Sequence, residues 1–417
     1  MRAALWLLAL FGIAVAIALF AGNNQGTITL FWPPWRVDLS LNLVLLVLVG
    51  AFVFLHFALG ALAALFDMPR QALRWRTQQK ERAMHAAMLD AVSHLLSGRF
   101  IRARKSAETV LGQEKSLAGG GHALANGAQV RTLAHLLAAE SAQALQDKPA
   151  REEHLKLALE EGAARDAQET REGALLRAAR WSLDDRDPDM AMAWLRELPQ
   201  GAARRTLALR IKLKAARLAR QTADALETAR LLSKHRAFSS TAAESIVRGL
   251  ATDMLNGAHD AQQLQRTWHS LEETERAMPE LAMHAARRLV VLGGDAEVAR
   301  GWLLPVWEQQ HQLGDAMKVK LACALESGLD SIDGAWLARI EAAQRANPRD
   351  ATLQYLAGMA CMKRQLWGKA QQLMGQAAPS LQDRGLQRNA WRAVAQLAEQ
   401  RGDMEAAAQA WKKAATE

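Results

Sequence analysis

The sequence predicts an all-α protein: two N-terminal transmembrane helices followed by an α-solenoid of about nine helical hairpins. Three observations carry that expectation. Two long uncharged apolar runs open the chain, a landmark of small or aromatic residues returns at a near-constant step through the remainder, and alanine and leucine interspersed with Arg, Glu and Gln dominate the composition. That mixture is the composition of packed helices.

The first apolar run, Ala3 to Ala21, carries no charge; the second, Leu39 to Phe66, carries none unless His56 is protonated. A bilayer core about 30 Å thick needs roughly 20 apolar residues in helical form. Membrane helices are therefore expected over residues 3–21 and 39–66, joined by a loop over 22–38. A secretory signal peptide would share Arg2 and an Ala-x-Ala site, but its apolar core is only about 7–15 residues long. Charge sets the orientation. Arg70, Arg74, Arg76, Lys80 and Arg82 follow the second run against Asp67 and Glu81, whereas the loop holds one Arg and one Asp. Positive flanks stay in the cytoplasm. Both termini are thus expected there, and in a two-membrane bacterium the loop would lie in the periplasm. Residues 67–83 form a basic juxtamembrane segment, with Arg70, Arg74, Arg76, Lys80 and Arg82 against anionic lipid headgroups, and residues 84–417 form the solenoid.

Within the loop, TITLFW and RVDLS alternate polar and apolar residues about Pro33 and Pro34. The prolines force a turn, and the alternation allows a small two-stranded ribbon. Trp32 and Trp35 suit the headgroup level, where one end of the ring is apolar and the other wet. Anchoring accounts for this composition; docking of a partner is the other reading.

The repeat is clearest at the C-terminus. Trp391, Val394, Ala395 and Ala398 fall on one helix, Gly402 and Asp403 make a turn, and Ala407, Trp411 and Ala414 fall on the next. This pattern resembles the tetratricopeptide repeat, in which large and small residues let two helices pack closely. Stepping backwards finds landmarks at Ala370, Trp336, Ala299, Leu264, Ala225 and Ala191, so that successive landmarks lie 34 to 39 residues apart. DDRDPD and RQTADA supply turns without glycine, and LLAAESAQALQDKPAREEHLKLALEEGA and LLSGRFIRARKSAETVL complete the series. Stacked hairpins of this kind present a long groove that takes peptides or partner helices.

The loop NQGTITLFW…WRVDLS, the basic exit Trp75–Arg82 and the stretch LLAAESAQALQDKPAREEHLKLALE together resemble the HemY family of Gram-negative bacteria. The resemblance implies an inner-membrane protein associated with a late step of haem synthesis, with haem-pathway enzymes as protein partners. A flavoenzyme of Gram-positive bacteria shares the family name, but flavin binding of that type needs a glycine-rich strand-turn-helix fingerprint, which this sequence lacks.

No catalytic or metal-binding constellation is visible, and no resident cofactor is expected. GGGHALANG, residues 119–127, has neither a preceding strand nor a following Lys-Ser/Thr, so a linker is expected in place of a phosphate loop. Cys323 and Cys361 stand far apart and in no metal spacing. His56 has two readings, an axial haem ligand or a neutral intramembrane histidine. Net charge is +9, and its sharpest concentration is ARRTLALRIKLKAARLAR, where Arg204, Arg205, Arg210, Lys212, Lys214, Arg217 and Arg220 occur without an acid. Helical spacing puts Leu207, Ile211 and Leu218 toward the core, and Arg210, Lys214 and Arg217 on another face. That face reads as a dock for an acidic partner or porphyrin propionates, or as a solvated surface. Nucleic acid is disfavoured, because no aromatic platform accompanies the cations. Two functions remain open: a non-enzymatic scaffold for late haem synthesis, and a membrane-tethered adaptor regulating envelope lipid or lipopolysaccharide synthesis. Known adaptors of the second kind carry one membrane helix and paired CxxC motifs, neither of which fits the two apolar runs and two isolated cysteines here.

Overall fold

A computed structural model of the chain describes residues 11–18, 22, 26–121 and 123–416, and of residues 63–67 and 69–71 the backbone alone. Two compact units are present, divided between Thr170 and Arg171. Among the described residues the fold is helical apart from one two-stranded ribbon. The first expected membrane helix falls largely outside the described residues; its portion 11–18 is helical and exposed.

In the first unit, β1 (Thr27–Trp32) and β2 (Trp35–Ser40) pair antiparallel around Pro33 and Pro34. The alternation of TITLFW and WRVDLS is thus realised as strands. Ser40 ends β2 and caps the helix α1 (Leu41–Leu96), its hydroxyl accepting from the Leu43 amide at 3.4 Å. The expected span from residue 39 therefore starts two residues later, because Leu39 and Ser40 belong to the strand.

Over Leu41–Leu62 this helix is long and apolar enough to cross a membrane, and none of that stretch is buried by protein. No break follows. Residues 67–83, expected as a basic juxtamembrane segment, lie within one 56-residue helix, about 84 Å long at 1.5 Å per residue. Its far end carries Met84 and Ala91, both fully buried, into the first hairpin with α2 (Phe100–Gly119). A second hairpin follows, α3 (Gly127–Ala144) with α4 (Lys148–Glu161). Arg131 on α3 joins the three helices: it reaches Glu114 of α2 at 2.5 Å and Glu161 of α4 at 2.9 Å.

The second unit begins inside α5 (Gln168–Asp184), which pairs with α6 (Pro188–Arg196). Six further hairpins follow. They are α7 (Thr206–Leu218) with α8 (Thr222–Lys234), α9 (Ser240–Asn256) with α10 (Ala261–Ser270), and α11 (Pro279–Val291) with α12 (Ala296–Glu308). The last three are α13 (Asp315–Glu326) with α14 (Gly334–Ala346), α15 (Ala351–Lys363) with α16 (Trp367–Ala377), and α17 (Arg384–Gln400) with α18 (Met404–Thr416). The landmarks Ala191, Ala225, Leu264, Ala299, Trp336, Ala370 and Ala407 all lie on second helices, and none is more than 5% exposed. Stacked Trp268 and Trp302, with ring centroids 4.8 Å apart, join the α9–α10 hairpin to the next.

The turns explain why glycine is dispensable. Gly98, Gln146, Arg186, Arg220, Gly293, Gln365 and Gly402 all have positive φ, each at the end of a hairpin's first helix. Each closes the same pair of backbone bonds; around Gln365, its own amide donates to Met362 and the Leu366 amide to Cys361. This is the Schellman arrangement, which satisfies the last carbonyls of a helix. The left-handed residue costs a non-glycine side chain about 1–2 kcal/mol, tolerated where the hairpin's packing exceeds it. Elsewhere, Arg230 of α8 grips Glu275 through two bonds, at 2.8 and 2.5 Å, and the Glu275 side chain is only 2% exposed.

Two outcomes follow for stability in urea. Gln365→Gly is expected to raise the unfolding free energy by about 1 kcal/mol, since it removes the left-handed strain at a small entropic cost. Glu275→Ala is expected to lower it by about 1–3 kcal/mol, because it removes two charge-assisted hydrogen bonds from Arg230 and leaves the guanidinium only its 3.7 Å pair with Glu272.

Candidate interaction cavity on the first helices of the second unit

Helix α7 packs against α6 on one side and α8 on the other. Its buried face is accordingly wide: Ala208, Leu209, Ile211, Leu213, Ala215 and Ala216 are all enclosed. Of the three residues expected in the core, only Ile211 is there. Leu207 is 56% exposed and Leu218 is 45% exposed. Neighbouring helices close in over the alanines on both flanks, and the leucines of the first and last turns project past them.

Arg210, Lys214 and Arg217 share the remaining face and line one cavity of about 830 Å³. The end of α5 contributes Leu183, Asp184 and the turn residue Arg186; Phe238 precedes α9 and Ile246 lies on it. Four cations thus surround an apolar floor that includes Leu213 and Leu218, with Asp184 the one carboxylate among the lining residues. Arg210 is held in place. Its guanidinium donates to the Ala237 carbonyl at 2.8 Å and lies over the Phe238 ring at 5.7 Å. Lys214 stands 4.0 Å from Asp184, at the outer limit of an ion pair, with its side chain 67% exposed. Cations over an apolar floor, one of them held in place, suit an anion with an apolar body, such as an acidic peptide with interspersed hydrophobic residues.

The other members of the basic run are elsewhere. Arg205 pairs with Glu172 at 2.9 Å, Arg204 is exposed beside it, and Arg220 is the exposed left-handed residue of its turn. Arg186, Phe238 and Ile246 escape a reading of the α7 stretch alone. One signal was available: Arg186 and Arg220 stand 34 residues apart at equivalent turns.

A second cavity, of about 570 Å³, lies between α9, α11 and α13. Its charges are more nearly balanced: Arg248 pairs with Glu280, and Asp253 accompanies Arg287 and Lys320, three cations to two carboxylates. His284 there bonds Asn256 Oδ1 at 2.8 Å, and burial together with Arg288 and Arg287 lowers its pKa. The cationic excess is therefore concentrated in the first cavity.

Ahead of α1, Trp32 and Trp35 form the end pair of the ribbon, each 73% exposed. His56 is exposed on the span, its ring edge-on to Phe57 at 6.0 Å. Arg74, Arg76, Lys80 and Arg82 are exposed on α1, and the Arg70 side chain lies outside the described residues. Lys80 and Arg82 stand about 27 Å and 30 Å along the helix beyond Leu62. Lys80 donates to Ser116 Oγ of α2 at 2.8 Å, so the first hairpin holds it.

Among the described residues no group of three or more His, Cys, Asp or Glu side chains stands together as a metal site would require. Burial raises the Cys323 thiol pKa and pushes that of Cys361 up to about 11, which suppresses the nucleophilic thiolate. His135 on α3 and His154 on α4 form a close pair, with Nδ1 atoms 3.1 Å apart. Burial and then His154 lower the His135 pKa to about 4, against partial compensation from Glu161; burial also lowers that of His154.

The sign of the pH effect follows from linkage. Both histidines take protons more readily unfolded, near pH 6.5, than folded. The stability they permit is full above that pH and is lost progressively on acidification towards pH 4. Replacing His135 with Leu is expected to flatten this decline, measured as the dependence of thermal midpoint on pH; an unchanged slope would place the effect elsewhere.

Residues 26–146 match the family model described as HemY protein N-terminus. No curated protein sequence matches the chain. Among solved structures, the APC/C hetero-tetramer Cut9–Hcn1 is similar at 13% identity over 80% of this chain and 66% of that one, with a TM-score of 0.29. Naa15/Naa10 bound to HypK-THB is similar at 12% identity over 77% of this chain and 57% of that one, with a TM-score of 0.23. The P58(IPK) TPR domain is similar at 12% identity over 76% of this chain and 99% of that one, with a TM-score of 0.23. The chain thus spans less than two thirds of the length of the first two.

Proposed function

We propose, from the match of residues 26–146 to the model described as HemY protein N-terminus, that the chain is a member of the HemY family. The protein is a membrane-anchored helical-repeat scaffold, not an enzyme. It holds an acidic segment of a protein partner at the cytoplasmic face of a bacterial inner membrane, in association with a late step of haem synthesis. The observation that carries the binding role is the cavity in which Arg186, Arg210, Lys214 and Arg217 face a single carboxylate over an apolar floor. The pathway rests on the family resemblance.

The anchor is the span Leu41–Leu62, with residues 3–21 as a second helix. The Arg and Lys excess after residue 66 supports cytoplasmic termini. Arg74 and Arg76 are the described cations nearest the span, about 18 Å and 21 Å along the helix beyond Leu62, and are the ones that reach toward the lipid headgroups. Tethering raises the effective concentration of the cavity near partners in the same membrane.

Charge reversal tests the binding role. The full-length triple variant R210E/K214E/R217E is expected to capture its partner from native membranes at least about tenfold less well. Capture by the unaltered chain should itself weaken as salt rises, and the helical content of the variant should be unchanged. Equal capture by both proteins would return this face to an ordinary solvated surface.

A further inference from the structure

Strand pairing sorts the side chains of residues 27–40 onto two faces. Successive residues alternate sides, and directly paired residues share one. The pairs Ile28–Leu39, Leu30–Val37 and Trp32–Trp35 therefore stand together, opposite Thr27–Ser40, Thr29–Asp38 and Phe31–Arg36. The first face holds no polar side chain. The second is polar except for Phe31, whose ring lies 5.5 Å from the Arg36 guanidinium. Arg36 in turn donates to Asp38 at 3.4 Å, so that face carries one cation matched by one anion.

Protein leaves the outer part of the apolar face uncovered, while Ile28 and Leu39 at its base are half-buried. Leu30 is 54% exposed, Val37 48%, and the two tryptophans still more so. An isolated two-stranded ribbon is marginal in water and needs a partner for its apolar side. Its position indicates which partner is present. Ser40 is both the last residue of β2 and the cap of the helix whose first 22 residues suit a bilayer. The Leu41 amide donates to the Gly26 carbonyl at 2.9 Å, which ties the base of the other strand to the same point. The base of the ribbon is thus fixed where the span meets water. Six residues per strand reach about 20 Å, so the whole apolar face stays within that distance of the membrane surface.

We propose that the ribbon lies flat on the outer membrane–water boundary as an interfacial strap. Ile28, Leu30, Val37 and Leu39 dip into the upper acyl region, Trp32 and Trp35 sit among the headgroups, and Thr29, Arg36 and Asp38 face water. The ligand is a phospholipid surface of any headgroup charge, since the balanced Arg36–Asp38 pair leaves no net electrostatic preference. This inference rests on the reading of Leu41–Leu62 as a membrane span.

The test uses the full chain in phosphatidylcholine vesicles, with Cys323 and Cys361 replaced by Ala and one environment-sensitive thiol label placed by V37C, T29C or L48C. Spin-labelled acyl chains serve as the quencher. The Leu48 label reports the span itself. The expected result is strong quenching at positions 48 and 37, several-fold weaker quenching at position 29, and loss of quenching at 37 alone when W32D/W35D is added. Quenching at 48 with equal, weak quenching at 37 and 29 would overturn the strap and leave the span standing. No quenching at 48 would overturn the span and the strap with it. Shielding at 37 that is not lipid quenching, and that scales with protein concentration, would assign the face to a second copy of the chain and overturn the lipid reading.

Discussion

Helices in the second unit meet through small side chains, and that close approach governs everything else there. Ala191, Ala225, Ala299, Ala370 and Ala407 each sit fully enclosed on the second helix of a hairpin. Gly358 plays the converse part on a first helix: a methyl added there would stand 3.0 Å from the side chain of buried Met374. Backbones held this near leave no room between hairpin partners. Long side chains on first helices are thereby directed into the spaces between successive hairpins. Arg210, Lys214 and Arg217 converge because they share one face of α7, with Phe238 and Ile246 supplied from the next hairpin.

A different constraint governs the first unit. One uninterrupted helix contains both the stretch long and apolar enough to cross a membrane and the first repeat helix. A helix is stiff on this scale, so the first hairpin's position along α1 is fixed relative to the span. Cations along α1 are sorted accordingly. Arg74 and Arg76 stay near the expected headgroup layer, and Lys80 is drawn into the hairpin by Ser116. Salt screening acts over about 8 Å, which leaves cations farther along an upright helix with little influence on lipid.

Much of this was legible in the sequence because it depends on local chemistry. The landmark step located every second helix in the second unit, since small residues at a fixed spacing are what close packing requires. The alternation in TITLFW and WRVDLS foretold a ribbon that proved to be paired strands. Long-range geometry was not legible. Helical spacing alone misplaced Leu207 and Leu218, because two neighbours flank α7 and their approach determines which turns are covered. The basic run appeared as one cluster, yet Arg205 is taken by Glu172 and Arg220 by a turn. Continuity of α1 through residues 67–83 was hidden as well: the charged residues that signal a membrane boundary are also good helix formers.

The most direct test of the account is contact within the cavity. Phe238, beneath Arg210, is replaced by a photoreactive phenylalanine analogue in the full chain; the exposed Glu227 on α8 is replaced in the same way as the control. Irradiation of native membranes should link position 238, but not 227, to a peptide rich in Asp and Glu, with a yield that falls as salt rises. Equal labelling from both positions, or a peptide at 238 that is neither acidic nor salt-sensitive, would contradict the account.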